Sequence, residues 1–459
     1  MELTTDQDVR LAHSKDASGL QLIPQSVARA ADAQDVIEII KSAMTTGDAV
    51  TPAGSQTSMT GASISDRGTL LSLSAMKRVV DVDLNERIAR VEPGITIGEL
   101  NGILREHGLQ FAPDPTSEND ATIGGAIGCN ASGARSLRYG ATRRHVRGVT
   151  VVHADAAMAR YERPRLEKNT VGYSTAQDPV DWFVGSEGTL GIVVEAELSL
   201  VPVPVQPLGL AVPFTSEESA LGFVVEARRR MDLETGRAAQ CLEFFDVEAT
   251  GISGNALSRP WSSDAKAMVY LEDDAGGSRP ADDILDVWLE LSEEHGAIAD
   301  DIRVYEGLQA LRDARVMRHA VPSLMNERGA RFVSSGGRKV STDWAVPYPL
   351  LATALDVSRE ACMRHGVVDP VTYGHAGNGH PHQNFIAEDA DALKRIHAAI
   401  EETLVRVLSL GGTVSAEHGL GKLKKEWLKL QLTERQIDVM HALKRALDPN
   451  GLLSPGNVL

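Results

Sequence analysis

Two short stretches hold most of the residues that could do chemistry. The first, GHAGNGHPHQNF, runs from Gly374 to Phe385 and contains three of the chain's 13 histidines. The second, SAEHGLGK, runs from Ser415 to Lys422 and places Glu417 in a glycine-flanked loop. Two imidazoles and a carboxylate are the ligands of a catalytic-type metal site that keeps one position for substrate. Glu417 is therefore the candidate to join two histidines of the first stretch.

The first stretch is predicted to form a β-hairpin. Its glycines and proline disfavour a helix, and Asn378-Gly379 predicts a two-residue turn that sets His375 opposite His382. Opposed residues have Cβ atoms about 4.5–5.5 Å apart, which allows two imidazoles to bind one ion. Because alternate side chains share a face, one side of the hairpin would carry Tyr373, His375, His380, His382 and Asn384. The alternative is that the histidines only cap turns or bind structural water.

The first 204 residues are predicted to form one domain. Apolar residues at helical spacing predict a helix over 33–44, and a capping box of Thr96 and Glu99 predicts a second helix that ends near Gly108. Strands are predicted at 49–51, 79–82, 89–91, 148–153 and 192–200. Pro202 and Pro204 then interrupt the pattern, which marks a domain boundary.

Residues 205–410 are predicted to form an α+β domain. The predicted order is strand 208–212, a helix to residue 231, strands 241–245 and 268–271, helix 280–295 and strand 302–305. This order is typical of an antiparallel, ferredoxin-like sheet with helices on one face. A similar order begins again at residue 339 with strands 339–342, 371–373 and 382–386 and helices 348–365 and 389–410.

Composition excludes several classes of protein. The chain has 459 residues, 46 basic against 63 acidic, and a net charge of −17, which opposes binding to nucleic acids or anionic membranes. No apolar run is long enough to span a membrane, and the N-terminus has no signal-peptide core. Cys129, Cys241 and Cys362 show no paired spacing. We expect a cytoplasmic protein.

Three glycine-rich loops suggest an anionic cofactor. They are TPAGSQTSMTGAS (51–63), TIGGAIGCNASGARSLRYG (122–140) and GSEGTLGIV (185–193). Glycine allows main-chain N–H groups to approach phosphate oxygens closely. The two familiar phosphate-loop fingerprints are absent, so a purely structural role in tight turns is the alternative for each loop.

These loops and the C-terminal motifs resemble a known family. PAGSQTS, PDPTSENDATIGGAIGCNASGARSLRYGATRRHVRGV and GSEGTLGIVVEAELSLVPVP are similar to the FAD-binding domain of the vanillyl-alcohol oxidase and p-cresol methylhydroxylase superfamily. GHAGNGHPH, SAEHGLGK and LDPNGLLSPGNVL resemble its FAD-linked D-2-hydroxyacid dehydrogenase branch, which includes D-lactate and D-2-hydroxyglutarate dehydrogenases and the glycolate oxidase flavin subunit. The resemblance implies a two-subdomain FAD-binding domain (1–204), a substrate-binding cap (205–410) and a C-terminal segment (411–459) that returns to the FAD domain.

The resemblance also implies roles for individual residues. His375, His382 and Glu417 match divalent-metal ligands, for zinc or manganese, and His418 matches the general base. Arg318, with Arg315 as its rival, and Lys339 match residues that hold the substrate carboxylate, and Asn384 matches a substrate contact. The FAD-binding positions would be Pro52, Ala53, Gly54, Ser55, Gln56, Thr57, Ser58, Pro115, Thr122, Gly124, Gly125, Asn130, Ser132, Gly133, Tyr139, Gly140, Glu187, Gly188, Gly191, Ile192 and Asn457. The branch commonly has Asp at position 378 and a small or apolar residue at position 381.

The implied function is oxidation of a D-2-hydroxyacid to the 2-oxoacid. His418 would remove the hydroxyl proton while hydride passes to N5 of FAD, with the metal ion lowering the pKa of the hydroxyl. The electron acceptor would be a quinone, an electron-transfer flavoprotein or a cytochrome, which allows peripheral membrane association, and the chain could form a homodimer. The alternatives are a flavin-free metal hydrolase using the same His, His and Glu set, and a non-redox or accessory flavoprotein subunit.

Overall fold

The described residues form two compact units. The computed structural model describes residues 2–231, 239–257, 259–274 and 280–459. The first unit comprises Met1–Gly133, Tyr139–Val203 and Glu417–Leu459, and the second comprises Ala134–Arg138 and Pro204–Ala416. The chain thus passes between units after Val203 and after Ala416, whereas the sequence analysis set its boundaries after residues 204 and 410.

The first unit contains three sheets. The four-stranded sheet has the order Glu2–Thr4, Ser26–Arg29, Thr69–Ser72 and Val50–Ala53, and its last three strands are parallel. The five-stranded sheet is antiparallel, in the order Val79–Asp83, Ile88–Val91, Ile192–Ser199, Val146–Val152 and Met158–Glu162. Leu109–Gln110 and Val201–Pro202 form a two-stranded sheet. Each predicted strand of this region overlaps an observed one.

Helices cover these sheets through their apolar residues. The helix Ala33–Thr46 buries Val36, Ile39 and Ile40 and ends at Gly47 in the left-handed conformation, as its spacing predicted. The capping box of Thr96 and Glu99 is present and opens the helix Ile97–Arg105. The other α-helices described in this unit, apart from one that crosses the boundary at residue 139, are Gln7–Ala12, Ile123–Cys129, Ser174–Gln177, Leu428–Gln431 and Glu434–Leu447.

The second unit is built on a seven-stranded antiparallel sheet. Its order is Arg303–Glu306, Pro207–Phe214, Ala267–Asp274, Cys241–Phe245, Val371–His375, His380–Asp389 and Gly336–Ser341. The predicted antiparallel sheet is therefore confirmed, and the two predicted groups of strands join edge to edge within it. The hairpin predicted from Asn378-Gly379 provides two neighbouring strands near one end of this order.

Helices lie on both faces of this sheet. One face packs against Val247–Asn255 and Gly307–Ala330, with Met317, Val321 and Met325 in its core. On the other face Ser358, in helix Leu351–His365, donates a hydrogen bond to Gln383 of the hairpin. The remaining helices longer than one turn in the described part of this unit are Glu217–Arg229, Ala281–Glu294 and Ala390–Ser409. The prediction of helices on one face was therefore incomplete, because it assigned no helix to 247–255 or to 307–330.

A helix that crosses a membrane has to be both long and apolar. Within the described ranges, every helix is too short or too polar to cross a lipid bilayer.

Candidate functional site

The histidine hairpin forms, but its register differs from the prediction. His375 lies directly opposite His380, and Tyr373 lies opposite His382. The turn is longer than two residues, because Ala376–Asn378 form a 3-10 turn that Gly379 closes with a φ of 68°. A Cβ at Gly379 would stand 1.9 Å from the carbonyl oxygen of Val346, so the turn requires glycine. The predicted pairing of His375 with His382 is therefore wrong.

The predicted face of the hairpin is nevertheless correct. The register differs by two residues, and a shift of two leaves every side chain on its original face. The imidazole centroids of His375 and His382 are 5.1 Å apart, and those of His380 and His382 are 4.6 Å apart. All three rings are buried, and their ligand nitrogens lie within 4.8 Å of one another. The second unit therefore presents three imidazoles as one cluster.

A buried carboxylate fixes the orientation of His375. Glu243, on the neighbouring strand, accepts a hydrogen bond from Nδ1 of His375 at 2.6 Å, and its other oxygen lies 3.0 Å from Nε of Arg318. Burial alone would raise the pKa of Glu243, but the charges of Arg318 and then of His375 outweigh it and lower that pKa to about 2. Glu243 is thus ionised, and Nε2 is the nitrogen of His375 that a metal ion could use.

Arg315 and Arg318 lie near different carboxylates. Arg315 contributes positive charge at Glu272. Burial alone would raise the pKa of Glu272, but the charges of Arg135 and Arg315 outweigh it and hold that pKa below its ordinary value. Arg135 also pairs with Glu272 at 2.8 Å. Arg318 is the arginine that joins the imidazole cluster through Glu243. Of the two rivals, it is the better placed to act beside the hairpin.

Lys339 and Asn384 share the face of the imidazoles. In the sheet Ser341 lies opposite Asn384, and Lys339 lies opposite Ile386, so alternate positions put Lys339 on the same side as His382. The ammonium of Lys339 donates to Oδ1 of Asn326 at 2.7 Å, and partial burial lowers its pKa to about 8. Oδ1 of Asn384 is buried and has no hydrogen-bond partner among the described residues. This face therefore carries a cation and an unsatisfied acceptor in addition to the histidines.

Asp343 is a second buried carboxylate near the hairpin. One of its oxygens lies 3.2 Å from Nε2 of His380, and the other accepts a hydrogen bond from Oγ of Ser415 at 2.7 Å. Its carbonyl accepts the N–H of Ala416, also at 2.7 Å. Asp343 thus anchors the last two residues of the second unit, immediately before Glu417 in the chain.

Glu417 and His418 begin the C-terminal part of the first unit. Oε2 of Glu417 accepts a hydrogen bond from Oγ of Ser132 at 3.1 Å, and Oε1 lies 3.5 Å from Nε2 of His418. The carbonyl of His418 accepts a hydrogen bond from Thr60 at 3.3 Å. In the first unit, the predicted base and the predicted carboxylate ligand therefore lie against two of the glycine-rich loops.

The glycine-rich loops contact one another within the first unit. A Cβ at Gly54 would stand 2.1 Å from Oγ1 of Thr122, which shows how closely the first two loops pack. Asn457 donates hydrogen bonds to the carbonyl of Ala62 at 2.8 Å and to that of Glu187 at 3.3 Å. The first, second and third loops and the C-terminus thus form one cluster, as residues that share a ligand would.

Polar groups of this cluster leave capacity for a ligand. The buried hydroxyls of Thr51 and Ser454 have no hydrogen-bond partner among the described residues. Gln56, Asn130 and Glu187 have positive φ, a conformation that turns main-chain N–H groups out of regular structure.

Ile192 and Glu187 can serve a ligand only in limited ways. The side chain of Ile192 belongs to the apolar core, so only its backbone could contact a cofactor. The carboxylate of Glu187 accepts the N–H groups of Leu420 and Gly421. Its side chain therefore holds the loop that follows His418.

Sequence reasoning missed Glu243 and Asp343. Glu243 is the single charged residue of the strand Cys241–Phe245, all of whose residues are buried. A charged residue inside an apolar strand is uncommon without a partner, and this was the available indication. Asp343 had no comparable indication, because it lies in a connecting segment before Trp344.

Two family models match the chain. Residues 24–161 match the FAD binding domain family, and residues 209–458 match the family described as FAD linked oxidases, C-terminal domain.

Curated proteins and solved structures also resemble the chain over most of its length. It is 29% identical over 454 residues to glycolate oxidase subunit GlcD of Bacillus subtilis, covering 98% of this chain and 92% of that protein. It is 29% identical over 441 residues to a D-lactate dehydrogenase of Archaeoglobus fulgidus, covering 94% and 91%. The structure of p-cresol methylhydroxylase with substrate bound matches with a TM-score of 0.72 at 16% identity, covering 99% of this chain and 93% of that one. This last similarity confirms the predicted fold class.

Proposed function

This chain belongs to the family of FAD-linked oxidases, and on that premise we propose that it oxidises a D-2-hydroxyacid to the corresponding 2-oxoacid. The similar glycolate oxidase subunit and D-lactate dehydrogenase are named for substrates of this class. The flavin-free hydrolase considered from the sequence has no support, because both matching family models describe FAD-linked proteins.

One observation carries the proposal. One sheet face holds the buried imidazoles of His375 and His382 and the buried amide of Asn384 together with the partly buried Lys339. A 2-hydroxyacid offers a carboxylate, which needs a cation, and a hydroxyl, which needs a Lewis acid or a base. Such a concentration of polar groups in an interior is unfavourable unless it serves a ligand.

The first unit would hold FAD through its three loops and Asn457. The unpartnered hydroxyls of Thr51 and Ser454 and the positive φ of Asn130 fit a ligand rich in hydrogen-bonding groups. Hydrogen-bonding groups in these loops would orient the cofactor, and the packing of Gly54 on Thr122 would keep their shape.

The metal site would be formed by His375, His382 and Glu417. The donor set fits a divalent cation, because His375 is already held by Glu243 in the way that ligating imidazoles are held in metal sites. Glu417 follows directly on Ala416, which Asp343 anchors. When bound, FAD supplies the acceptor for the hydride from C2 of the substrate, and the cation supplies a Lewis acid at its hydroxyl oxygen.

The residues of the chain bind and deprotonate the substrate in this proposal. Lys339 and Arg318 hold the carboxylate by charge, and Asn384 accepts or donates a hydrogen bond at the substrate's polar end. His418 takes the proton of the 2-hydroxyl on its imidazole, because histidine is the side chain best suited to accept a proton near neutral pH. Glu417 beside it would favour the imidazolium that results.

Anaerobic reduction of the bound flavin tests the proposal. The purified protein is mixed without oxygen with D-lactate, D-2-hydroxyglutarate, D-malate or glycolate, and with L-lactate as a control. We expect the flavin absorbance to bleach with at least one D-2-hydroxyacid or glycolate and to stay unchanged with L-lactate. Flavin that is bound but never bleached by any 2-hydroxyacid would refute this function and favour a non-redox or accessory flavoprotein.

The reduced enzyme must then pass its electrons to an acceptor. We propose a quinone, an electron-transfer flavoprotein or a cytochrome, and reoxidation by each under anaerobic conditions identifies the class.

A further inference from the structure

We propose that His380 is a third imidazole ligand of the divalent cation, so that the hairpin alone provides three nitrogen donors. This inference deepens the proposed function, because it concerns the composition of its metal site. Zinc, cobalt, nickel and copper ions favour imidazole nitrogen, whereas manganese and magnesium favour oxygen ligands. The site would therefore select zinc or cobalt over manganese.

The register of the hairpin is the first argument. His380 is the direct cross-strand neighbour of His375, and His382 is its nearest neighbour on the same face. The centroid of the His380 ring lies 5.4 Å from that of His375 and 4.6 Å from that of His382. The rings of His375 and His382 are themselves 5.1 Å apart, so the three rings are separated by similar distances and a cation between two of them would lie near the third.

The hydrogen bonding of His380 is the second argument. The residue is 4% exposed, and Nε2 makes no hydrogen bond with any described residue, although Oδ1 of Asp343 lies 3.2 Å away. A buried polar atom that lacks a partner is uncommon and indicates a missing ligand, ion or water. Coordination of a cation through Nδ1, with a small ring rotation that lets Nε2–H donate to Asp343, would satisfy both nitrogens of this ring.

The carboxylates that lie next to the imidazoles provide the third argument. Glu243 holds His375, and Asp343 lies beside His380. Ligating histidines in proteins usually donate their second N–H to a carboxylate or carbonyl, which fixes the ring and strengthens its basicity. Two of the three rings therefore already have the supporting group of a metal ligand.

The distances permit a shared cation. With metal–nitrogen bonds of about 2.0–2.1 Å, tetrahedral ligand atoms stand about 3.4 Å apart. The ligand nitrogens of the three rings lie within 4.8 Å of one another. Small side-chain rotations, without any change of strand register, would close this difference.

Spectroscopy on the unaltered enzyme tests the ligand count. The holoenzyme is treated with a chelator and reloaded with Cu²⁺, and electron spin-echo modulation counts the coordinated imidazoles; zinc X-ray absorption provides a second count. We expect three imidazoles, and two in His380→Asn. Two imidazoles in the unaltered enzyme, or three in His380→Asn, would overturn the proposal.

Metal affinity provides an independent readout. Loss of outer-shell partners typically costs 10–100-fold in affinity, so loss of a direct ligand in His380→Asn should weaken zinc binding by about 100-fold or more. Manganese binding should change less, by under about tenfold, because manganese depends more on oxygen ligands. His397→Asn, an exposed histidine on helix Ala390–Ser409, is the matched control and should bind zinc normally. Unchanged zinc affinity in a folded His380→Asn would contradict the proposal.

These measurements separate this inference from the proposed function. Zinc affinity and imidazole count need no turnover, so three imidazoles in a protein that oxidises no hydroxyacid would sustain the inference and refute the function. Hydroxyacid oxidation with only two imidazoles would do the reverse. FAD absorbance and thermal unfolding confirm that each variant is folded.

Discussion

Replacing Glu243 by glutamine should both destabilise the second unit and disturb its imidazole cluster. Glu243 is fully buried, and its two oxygens serve different partners, His375 and Arg318. Glutamine has nearly the same shape but no charge. The substitution would leave the guanidinium of Arg318 without its ionised partner and would replace the acceptor that fixes the His375 ring.

The size of the effect follows from the pKa of Glu243. That pKa is about 2, against an ordinary value of 4.5. At about 1.4 kcal/mol for each pH unit of difference, the ionised carboxylate stabilises the folded state by about 3 kcal/mol at neutral pH. Removing one partner of a buried ion pair typically costs about 3–5 kcal/mol. We therefore expect Glu243→Gln to lower the free energy of unfolding by about 3–5 kcal/mol.

The pH dependence of this loss has a definite direction. Because the folded pKa lies below the unfolded one, the contribution of Glu243 is complete above pH 4.5 and disappears as the pH falls from 4.5 through about 2. The difference in unfolding free energy between the unaltered protein and Glu243→Gln should therefore shrink over that range.

Urea unfolding and zinc titration measure the two consequences. Glu272→Gln is the matched control, since Glu272 is also buried and paired with an arginine but lies away from the imidazoles. We expect both variants to lose stability, and only Glu243→Gln to lose zinc affinity, by about 10–100-fold. Equal zinc affinities in the two variants would refute the role of Glu243 in orienting His375. A stability difference that is constant with pH would refute the electrostatic reasoning.

Three further outcomes are expected. The pKa of Lys339 is about 8, so affinity for the substrate carboxylate should fall as the pH rises through that value. A binding titration with the 2-oxoacid product measures this, and Lys339→Met should abolish the pH dependence. Gly379→Ala should lower the free energy of unfolding by at least about 1–2 kcal/mol, which is the cost of the left-handed conformation for alanine. The close carbonyl of Val346 should add to this loss, and unchanged stability would contradict the described turn. His418→Asn should slow anaerobic flavin reduction by about 10²–10⁴-fold while FAD remains bound, and an unchanged rate would remove His418 as the base.

The hairpin shows what strand periodicity can and cannot predict. Asn378-Gly379 predicted a turn, and the alternation of side chains predicted which residues share a face; both were correct within this hairpin. The partner of His375 was wrong, because the turn contains more residues than the shortest loop compatible with the sequence. An error of two residues changes every cross-strand pair and no face. The location of the cluster was therefore predictable, whereas its pairing was not.

The departures from the family pattern also become interpretable. Asn378, where the branch commonly has Asp, is exposed at the turn. Pro381 alternates with His380 and His382 and so projects to the opposite face, where its neighbour Gln383 accepts hydrogen bonds from Trp344 and Ser358. Neither departure lies on the imidazole face. Strand alternation already implied this for Pro381, whereas the position of Asn378 depends on which residues close the turn.

Long-range partners were beyond sequence reasoning. Glu243 was visible as a charge in an apolar strand, but Arg318 and His375 are distant in the chain, and no local pattern links them to it. The helix Gly307–Ala330, which carries Arg318, was also missed, because Pro322 and its polar residues obscure an apolar stripe. Local periodicity therefore predicted the strand with the ligands but not the group that orients them.

The charges beside the imidazoles imply that the proposed cation and the substrate would affect each other's binding. Glu243 is offset by Arg318, whereas Asp343 adds a carboxylate beside His380. A divalent cation among the imidazoles would be attracted by the carboxylate of Asp343, whereas an anionic substrate would be repelled by it and by a chain with a net charge of −17. Lys339, with a pKa of about 8, is mostly protonated at neutral pH and supplies one positive charge. In the proposed site a bound cation would therefore strengthen the binding of the hydroxyacid, because it would add two positive charges to those of Lys339 and Arg318.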